Sequence, residues 1–487
     1  MSRLPRNAVL TALLALGIAA GAAPARAQPL PPAVAAALGN AGIPPAGAAL
    51  YVRDVTQPAP LLAHNADAVV NPASLMKLVT TLAALETLGP AYTWKTEVYA
   101  TGEVSGGVLA GDLVIKGYGD PKLTIERFWL LLRDIQARGI RTVRGDVVLD
   151  RSHFLVPPAD PGAFDGEPYR PYNALPDALL LNFNAVRVSF VPEPSHSKVR
   201  VFAEPHPGAI FIENRLSLAA GPCRDLEPRY LAQVDTDWSR ARIAFSGAYP
   251  ADCGEKTENF SVLASPSFFA DAFRQLWAEL GGTIEGQVRD GVLPPDARRI
   301  AEADSPPLAD VIRDINKFSN NVMARQLLLT LGAYGFGPPG TADSGARAVR
   351  VWLAQNGLDF PELVLENGSG LSRAERISAR HLGELLVRAY RGPTMPEYMA
   401  SLPVAGIDGT LKRRMRGAAS NGQAHLKTGY LEGVRAIAGY VLDRNGRRVA
   451  VVLVINHPNA RQAGAVPGAV VDWVYESAGT RAAAKPP

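Results

Sequence analysis

The stretch NPASLMKLVTTLAALETLGP, residues 71–90, contains the pattern that decides the fold of this chain. Its apolar residues recur with the period of an α-helix, and a closing Gly-Pro pair is typical of a helix end. Pro72 comes just before this helix, which places Ser74 at its N-terminus and Lys77 one turn later. Side chains three residues apart share one face of a helix. We therefore expect the Ser74 hydroxyl and the Lys77 amine to be neighbours.

This pair can carry nucleophilic chemistry if the lysine is neutral. A serine hydroxyl is a poor nucleophile until an adjacent base takes its proton. A lysine amine can be that base only without its own charge, and burial or a second nearby cation lowers its pKa. Two later motifs complete the pattern, Ser-Asn-Asn at 319–321 and Lys-Thr-Gly at 427–429. Lys427 would be the second cation.

The joint occurrence of the three motifs matters more than any one of them. Residues 195–198, Ser-His-Ser-Lys, also match S-x-x-K, but they lie in a polar turn that we interpret as a hairpin tip. Taken alone, Ser74 fits a helix N-cap, Ser319 an ordinary helix residue and Lys427 an ordinary edge-strand lysine. The sequence has no other S-x-N and no other K-T-G, and only ten of its 487 residues are lysine. Chance therefore explains the set poorly.

Composition and charge exclude several other classes of protein. With 47% hydrophobic and 20% charged residues, the chain is not mostly disordered, and 45 Gly with 40 Pro is too few for a collagen-like protein. The formal net charge is +4, and three of the positive charges lie before Ala27. The charge balance thus gives no support for a nucleic-acid partner, which would need a basic patch.

The first 27 residues are typical of a cleaved signal peptide. Arg3 and Arg6 precede an uncharged stretch over 7–25, and Ala-Arg-Ala at 25–27 supplies the small residues that a signal peptidase needs. The alternative is a short membrane helix, but Gly and Pro interrupt the stretch and it is too short to span a bilayer. We expect export of the mature chain, which would begin at Gln28, and no transmembrane anchor.

The two cysteines fit an oxidising compartment. Cys223 and Cys253 both lie in segments rich in turn-forming residues. We predict a disulfide between them, with two unpaired thiols as the alternative. A zinc site is not expected, because neither cysteine has a histidine nearby at ligand spacing.

The pattern of predicted elements changes along the chain. A strand pair precedes the serine-bearing helix, whereas residues 96–295 are mostly short strand-like runs separated by turns. Residues 305–332 are predicted to be helical, and the chain ends in strand, turn, strand and helix, with Asn445-Gly446 as the hairpin turn.

Together these motifs resemble the penicillin-binding proteins, for which S-x-x-K, S-D-N and K-T-G are the signature. The resemblance is to the low-molecular-mass class C group, D-alanyl-D-alanine carboxypeptidases/endopeptidases of the penicillin-binding protein 4 type. Four further stretches are similar to that family: 111–123, 164–186, 366–373 and 402–411.

The resemblance implies an α/β (α+β) fold of the β-lactamase/transpeptidase type, in which helices flank an antiparallel sheet. The family carries a large insertion between its first and second motifs. We therefore predict a catalytic domain from residues 28–95 plus 296–487, with an inserted β-rich region at 96–295 that forms two nested small domains.

The resemblance also implies a role for each motif residue and needs neither metal nor cofactor. Ser74 would attack the carbonyl of a D-Ala-D-Ala peptide while Lys77 takes its proton, and water would then hydrolyse the acyl-enzyme. A β-lactam would acylate the same serine and leave slowly. The other roles are a proton relay to the leaving amine (Ser319), hydrogen bonds to the substrate amide and Lys77 (Asn321), carboxylate binding (Lys427, Thr428), close approach of the ligand (Gly429), and an oxyanion hole of backbone N–H groups (Ser74, Tyr430).

The implied protein is a periplasmic hydrolase that acts on peptidoglycan peptides and binds β-lactams, with a weak homodimer left open. Tyr430 stands where many relatives have Thr or Ser, which leaves the carboxylate contacts open. One alternative is a β-lactamase or esterase on the same scaffold, for which the long insertion has no evident use. Another is a non-catalytic wall-binding protein, which the intact motifs disfavour.

Overall fold

The computed structural model describes residues 28–205, 208–223 and 230–477, and the predicted signal peptide, 1–27, lies outside them. Helices occur in both halves of the described chain. Their bounds are α1 Pro32–Asn40, α2 Met76–Leu88, α3 Ile125–Ala137, α4 Ser265–Glu279, α5 Leu308–Lys317, α6 Asn321–Phe336, α7 Ala342–Gln355, α8 Ala379–Arg391, α9 Met395–Ala400 and α10 Val466–Ser477.

The strands are short in the middle of the chain and longer at its end. Their bounds are β1 Ala48–Asp54, β2 Leu62–His64, β3 Val69–Val70, β4 Lys95–Ala100, β5 Val104–Ser105, β6 Val108–Leu109, β7 Leu113–Gly117, β8 Thr142–Val143, β9 Val147–Asp150, β10 Val186–Glu193, β11 Lys198–Glu204, β12 Ile210–Ala219, β13 Tyr230–Thr236, β14 Ala241–Pro250, β15 Lys256–Phe260, β16 Thr283–Ile284, β17 Val288–Gly291, β18 Arg298–Asp304, β19 Ile377–Ser378, β20 Ala424–Leu431, β21 Val434–Leu442 and β22 Arg448–Asn456.

A five-stranded antiparallel sheet joins the two ends of the chain. Its strand order is β2-β1-β22-β21-β20, and β1 pairs with β22 from Ala48 opposite Ile455 to Asp54 opposite Val449. The pairing explains the composition of β22, whose central residues are apolar because the sheet is covered on both faces. It also places the K-T-G strand, β20, at one edge of the sheet.

The two faces of this sheet belong to separate hydrophobic cores. Tyr51 of β1 packs on the side that holds α2, α5, α6, α7 and α8, whereas Leu50 and Val52 pack on the side that holds α1 and α10. This follows from the alternation of side chains along a strand. Helix α2 lies within the first core, and its residues from Met76 to Leu85 are all buried.

The middle of the chain forms small sheets around a core of its own. Four sheets, of orders β17-β9-β7-β4-β18, β16-β8-β6-β5, β11-β10-β15 and β12-β14-β13, enclose a cluster to which α3 and α4 contribute Phe128, Phe269 and Trp277. Strand β18 pairs antiparallel with β4, so both ends of this region leave from neighbouring strands. Strand β4 starts at Lys95, on the first predicted boundary, whereas β18 starts at Arg298, just after the second one at 296. The predicted boundaries stay a prediction.

One long helical run of the sequence is broken. Residues 305–332 were expected to be helical, but α5 ends at Lys317 and α6 begins at Asn321. Between them Ser319 has a φ of 57°, in the left-handed region. Asn320 caps α6 by accepting a hydrogen bond from the Met323 N–H at 3.0 Å. The break therefore has a local cause, and it places Ser319 between the two helices and Asn321 at the start of α6.

A disulfide joins Cys223 and Cys253, whose Cα atoms lie 4.6 Å apart. It ties the loop after β12 to the turn after β14, within the middle region. Separately, none of the described helices combines the length and the apolar character that crossing a bilayer requires.

We predict that the variant Cys223→Ser/Cys253→Ser loses stability in the middle region. The bond closes a loop of 30 residues, and such a cross-link stabilises a fold by about 3.6 kcal/mol, chiefly by restricting the unfolded chain. Urea unfolding should show a lower midpoint for the variant. Reduction of the parent with dithiothreitol is the control and should give the same change. A parent that is equally stable when reduced would contradict this prediction.

Candidate active site

Ser74 lies in a strained turn that precedes helix α2. The residues Ala73–Leu75 form a single 3₁₀ turn, and Ala73 has a φ of 48°. The Asn71 side chain supports this backbone, because its Oδ1 accepts the Ala73 N–H at 2.9 Å while its Nδ2 donates to the Ser372 carbonyl at 2.8 Å. Left-handed backbone at a residue with a side chain costs free energy and persists only where neighbours hold it. The turn therefore fixes the position of the half-buried Ser74.

The Lys77 amine is fully buried and lies against the Ser74 hydroxyl. Its Nζ is 3.1 Å from Ser74 Oγ and donates to Asn321 Oδ1 at 2.6 Å and to the Ser369 carbonyl. Asn321 is 244 residues away in sequence. The structure thus brings the first two motifs into direct contact, as their pattern suggests.

The third motif reaches the same place from the edge of the sheet. Lys427 on β20 is fully buried, and its Nζ donates to Ser319 Oγ at 2.8 Å and to the Thr428 carbonyl at 2.8 Å. The five polar groups therefore form two adjoining sets. One set is Ser74, Lys77 and Asn321, and the other is Ser319 and Lys427.

The electrostatics of the two lysines favour a neutral base. Burial is the largest cause that lowers the pKa of Lys77 well below its usual range, and the charge of Lys427 lowers it further. Burial lowers the pKa of Lys427 to about 7. Two ammonium groups that are buried in the same site repel each other and are not solvated by water, so the two lysines cannot both stay charged. A neutral Lys77 next to Ser74 can accept the hydroxyl proton.

A buried carboxylate, which the motifs do not predict, orders the loop beside Lys77. Oε1 of Glu375 accepts the backbone N–H groups of Glu366, Asn367 and Gly368 at 3.2, 3.0 and 3.1 Å. This loop carries the Ser369 carbonyl that accepts from Lys77. Burial raises the pKa of Glu375, and its negative charge opposes the lowering of the Lys77 pKa. The neighbouring stretch 366–373 is one of those that resemble the family, but no motif in the sequence points to Glu375.

The remaining K-T-G residues lie at the same edge. Thr428 Oγ1 is 2.9 Å from Thr410 Oγ1, and Tyr430 is 52% exposed. Gly429 faces the serine turn closely enough that a Cβ there would lie 2.8 Å from the Pro72 carbonyl oxygen. Glycine is therefore required where β20 approaches the backbone of that turn.

The second S-x-x-K match does not join this cluster. Residues Pro194–His196 form a 3₁₀ turn between the paired strands β10 and β11, as expected for a hairpin tip. Ser195 Oγ lies 3.1 Å from His196 Nδ1 on the surface, and Lys198 is exposed. Without a helix, nothing aligns this serine with a lysine.

Comparison with known proteins identifies the family. The profile of the D-Ala-D-Ala carboxypeptidase 3 (S13) family matches residues 30–475. The chain belongs to this family. The predicted class of enzyme, a serine-type D-Ala-D-Ala carboxypeptidase, is thereby confirmed.

The chain is 34% identical over 430 residues to a D-alanyl-D-alanine carboxypeptidase of Actinomadura sp. (strain R39), covering 84% of this chain and 78% of the relative. It is 26% identical over 406 residues to the D-alanyl-D-alanine carboxypeptidase DacB of Haemophilus influenzae, covering 81% and 82%.

Solved structures agree on the fold. Penicillin binding protein 4 (dacB) from Haemophilus influenzae superposes with a TM-score of 0.74 at 24% identity, covering 90% of this chain and 99% of that one. A predatory peptidoglycan endopeptidase from Bdellovibrio bacteriovorus gives a TM-score of 0.50 at 15% identity, covering 87% and 90%. The predicted β-lactamase/transpeptidase-like fold, with helices around an antiparallel sheet, is confirmed.

We predict that Glu375→Gln moves the acid limb of the acylation rate to lower pH. The glutamine oxygen can still accept the three backbone N–H groups, but the negative charge that raises the Lys77 pKa is lost. Lys77 would then stay neutral at a lower pH. The amide NH₂ of the new glutamine at 375 has no hydrogen-bond partner and should cost roughly 1–3 kcal/mol of stability. The rate of reaction with a labelled penicillin, measured from pH 5 to 9, checks this expectation.

The matched control is Glu362→Gln, which removes a carboxylate that pairs with His381 rather than with this loop. That variant should leave the acid limb in place. A limb that moves to higher pH in Glu375→Gln would contradict the assigned effect on Lys77.

Proposed function

We propose that this chain is a periplasmic D-Ala-D-Ala carboxypeptidase and endopeptidase that hydrolyses peptidoglycan stem peptides and cross-links through an acyl-enzyme on Ser74. The observation that carries the proposal is the Ser74 Oγ to Lys77 Nζ contact of 3.1 Å, made by a fully buried amine. Membership of the S13 family and the names of the relatives support the substrate class.

Acylation follows from the geometry around Lys77. Neutral Lys77 takes the proton of Ser74 Oγ while this oxygen attacks the carbonyl carbon of the penultimate D-alanine. Asn321 Oδ1 and the Ser369 carbonyl hold the amine in place, and both also stabilise the ammonium that forms. Backbone N–H groups of Ser74 and Tyr430 receive the negative charge that develops on the carbonyl oxygen.

Release of the amine uses the second set of groups. Ser319 Oγ accepts from Lys427 Nζ at 2.8 Å, so its own proton is free to pass to the leaving nitrogen. A proton from Lys427 replaces it. Lys427 and Thr428 bind the terminal carboxylate of the peptide, and that negative charge favours the protonated form of Lys427. Once the amine has left, the proton that Lys77 took from Ser74 passes to the neutral Lys427, which restores both lysines. Water then attacks the acyl-enzyme while neutral Lys77 takes a proton from it, and this proton returns to Ser74 Oγ as the ester bond breaks.

Two further observations support β-lactam binding and the location of the protein outside the cytoplasm. Penicillin binding protein 4 of Haemophilus influenzae has a solved structure in complex with a β-lactam. The strained amide of a β-lactam would acylate Ser74 Oγ, and this oxygen would then be blocked for the peptide substrate. The disulfide and the predicted signal peptide both fit a compartment outside the cytoplasm.

We expect a labelled penicillin to modify the mature protein covalently and the variant Ser74→Ala to lose this label entirely. D-alanine release from a muropeptide with a D-Ala-D-Ala terminus should be lost with it. The matched control is Ser195→Ala, which removes the serine of the unaligned S-x-x-K and should keep both activities. Labelling that depends on Ser195, or fast turnover of the penicillin, would overturn the assignment, since fast turnover is the behaviour of a β-lactamase.

Tyr430 offers a test of carboxylate binding. Tyr430→Thr supplies the hydroxyl that many relatives carry, at a position exposed enough for the change to leave stability within about 0.5 kcal/mol. We expect KM for D-Ala-D-Ala peptides to fall about tenfold, as for one hydrogen bond to a charged group. The value of kcat should hold, because the oxyanion donor is the backbone. Tyr430→Val is the control, and an equal fall in its KM would exclude the hydroxyl as the cause.

A further inference from the structure

A cavity of about 870 Å³ lies between the active site and the middle region. One wall comes from the catalytic side and includes Ser319 and Asn321. The opposite wall comes from strands β10 and β15 and the loop before β10. Its residues include Arg170, Arg187, Thr257 and Glu258.

The shared wall defines which part of the reaction this cavity adjoins. Ser319 Oγ accepts from Lys427, and Asn321 Oδ1 accepts from Lys77, while Asn321 Nδ2 donates to the Tyr172 carbonyl at 3.3 Å. Ser319 is the group that protonates the leaving amine in the proposed mechanism. The space next to Ser319 is therefore on the leaving-group side of the scissile bond.

The size of the cavity exceeds the needs of a carboxypeptidase. Its leaving group is one D-alanine, whereas a cavity of about 870 Å³ lies near the upper end of the range that holds drug-sized ligands. When the same bond lies in a cross-link, the leaving amine is attached to a second stem peptide. That leaving group is of the right size for this volume.

The charges on the wall indicate what part of such a peptide would bind. Arg170 is compensated, because its Nη1 lies 3.1 Å from Glu258 Oε1. Arg187 is exposed, and among the described residues its guanidinium makes no ion pair within 4.0 Å, although its charge helps to lower the pKa of Glu126, after the hydrogen bond from Thr124. A guanidinium binds a carboxylate through two parallel hydrogen bonds. Phe318, 67% exposed, adds an apolar surface to the lining of the same cavity.

The backbone at the back of the cavity is strained. Asn182, Phe183 and Asn184 have φ values of 49°, 58° and 54°, three consecutive left-handed residues that are not glycine. The first two line the cavity, and Asn184 Nδ2 anchors the segment to the Leu263 carbonyl at 2.9 Å. Strain of this kind clusters at binding and catalytic sites. It indicates that the shape of this wall is held in place.

We propose that this cavity is the subsite for the second stem peptide of a cross-link, and that Arg187 binds a carboxylate of that strand. The inference rests on the proposed function, and it makes Arg187 a specificity residue for endopeptidase cleavage. It assigns no part in the bond-breaking steps to Arg187. The terminal D-alanine of an uncross-linked pentapeptide would not reach it.

The test compares two substrates with the full mature protein: a monomeric disaccharide pentapeptide and a muropeptide dimer with a D-alanyl cross-link. Arg187→Gln should raise KM for the dimer about fivefold relative to KM for the monomer, as for a partly exposed ion pair, with kcat for the dimer unchanged. Arg187→Lys should recover part of this loss. The matched control is Arg141→Gln, another exposed arginine of the middle region, which should leave the KM ratio unchanged.

A second pair of variants tests the volume rather than the charge. Thr257 is exposed on β15 and lines the cavity. Thr257→Trp should reduce dimer cleavage at least tenfold relative to D-alanine release, because the indole occupies the space of the second strand. Thr257→Ala removes the hydroxyl without filling the space and should keep the ratio of the parent.

The outcomes separate this inference from the proposed function. A parent that takes no penicillin label on Ser74 refutes the proposed function itself. A parent that releases D-alanine but does not cleave the dimer overturns the subsite and the endopeptidase part of the proposed function, and leaves the carboxypeptidase reaction on Ser74 standing. Equal KM changes for both substrates in Arg187→Gln, or a Thr257→Trp variant with the ratio of the parent, would overturn it as well.

Discussion

The buried amine of Lys77 is the group on which the rest of the structure depends. Removing a charged ammonium from water costs more than hydrogen bonds in the interior return, so the fold favours its neutral form. The amine nevertheless needs acceptors, and they come from helix α6 through Asn321 and from the loop held by Glu375 through the Ser369 carbonyl. The elements packed around the amine therefore supply its hydrogen-bond acceptors as well as forming the hydrophobic core.

This arrangement reduces the stability of the folded chain at neutral pH. An unfolded lysine has a pKa of about 10.4, whereas burial lowers that of Lys427 to about 7 and that of Lys77 as well. Between these values the unfolded chain binds more protons than the folded one. The stability therefore falls as the pH decreases through this window, and it changes no further through Lys427 below about 7. A fold that keeps two such lysines does so for chemistry rather than for stability.

The sequence specifies the groups of the site better than it specifies their surroundings. Ser74 and Lys77 are placed correctly because one helical turn relates them, and Ser195 is rejected because no helix does. The break before α6 was not predicted, although Asn320 is a good capping residue, because apolar periodicity continues through it. Glu375 and the Ser369 carbonyl could not be found this way. The Ser369 group is a backbone carbonyl, and the Glu375 carboxylate binds three backbone N–H groups. Every residue has such backbone groups, so the residue types do not reveal which of them are used.

The position of the K-T-G strand connects the fold to substrate binding. β20 ends the sheet order, so near residues 427–430 its outer side faces the serine turn instead of another strand. A free strand edge usually invites aggregation, and proteins cover it or shorten it. Here Gly429 brings the backbone of β20 up to the carbonyl of Pro72, two residues before Ser74. An extended peptide can pair with such an edge through its own backbone. In the proposed reaction, the feature that would be a liability elsewhere would hold the scissile bond against the nucleophile, and the middle region would lie on the side from which the leaving strand departs.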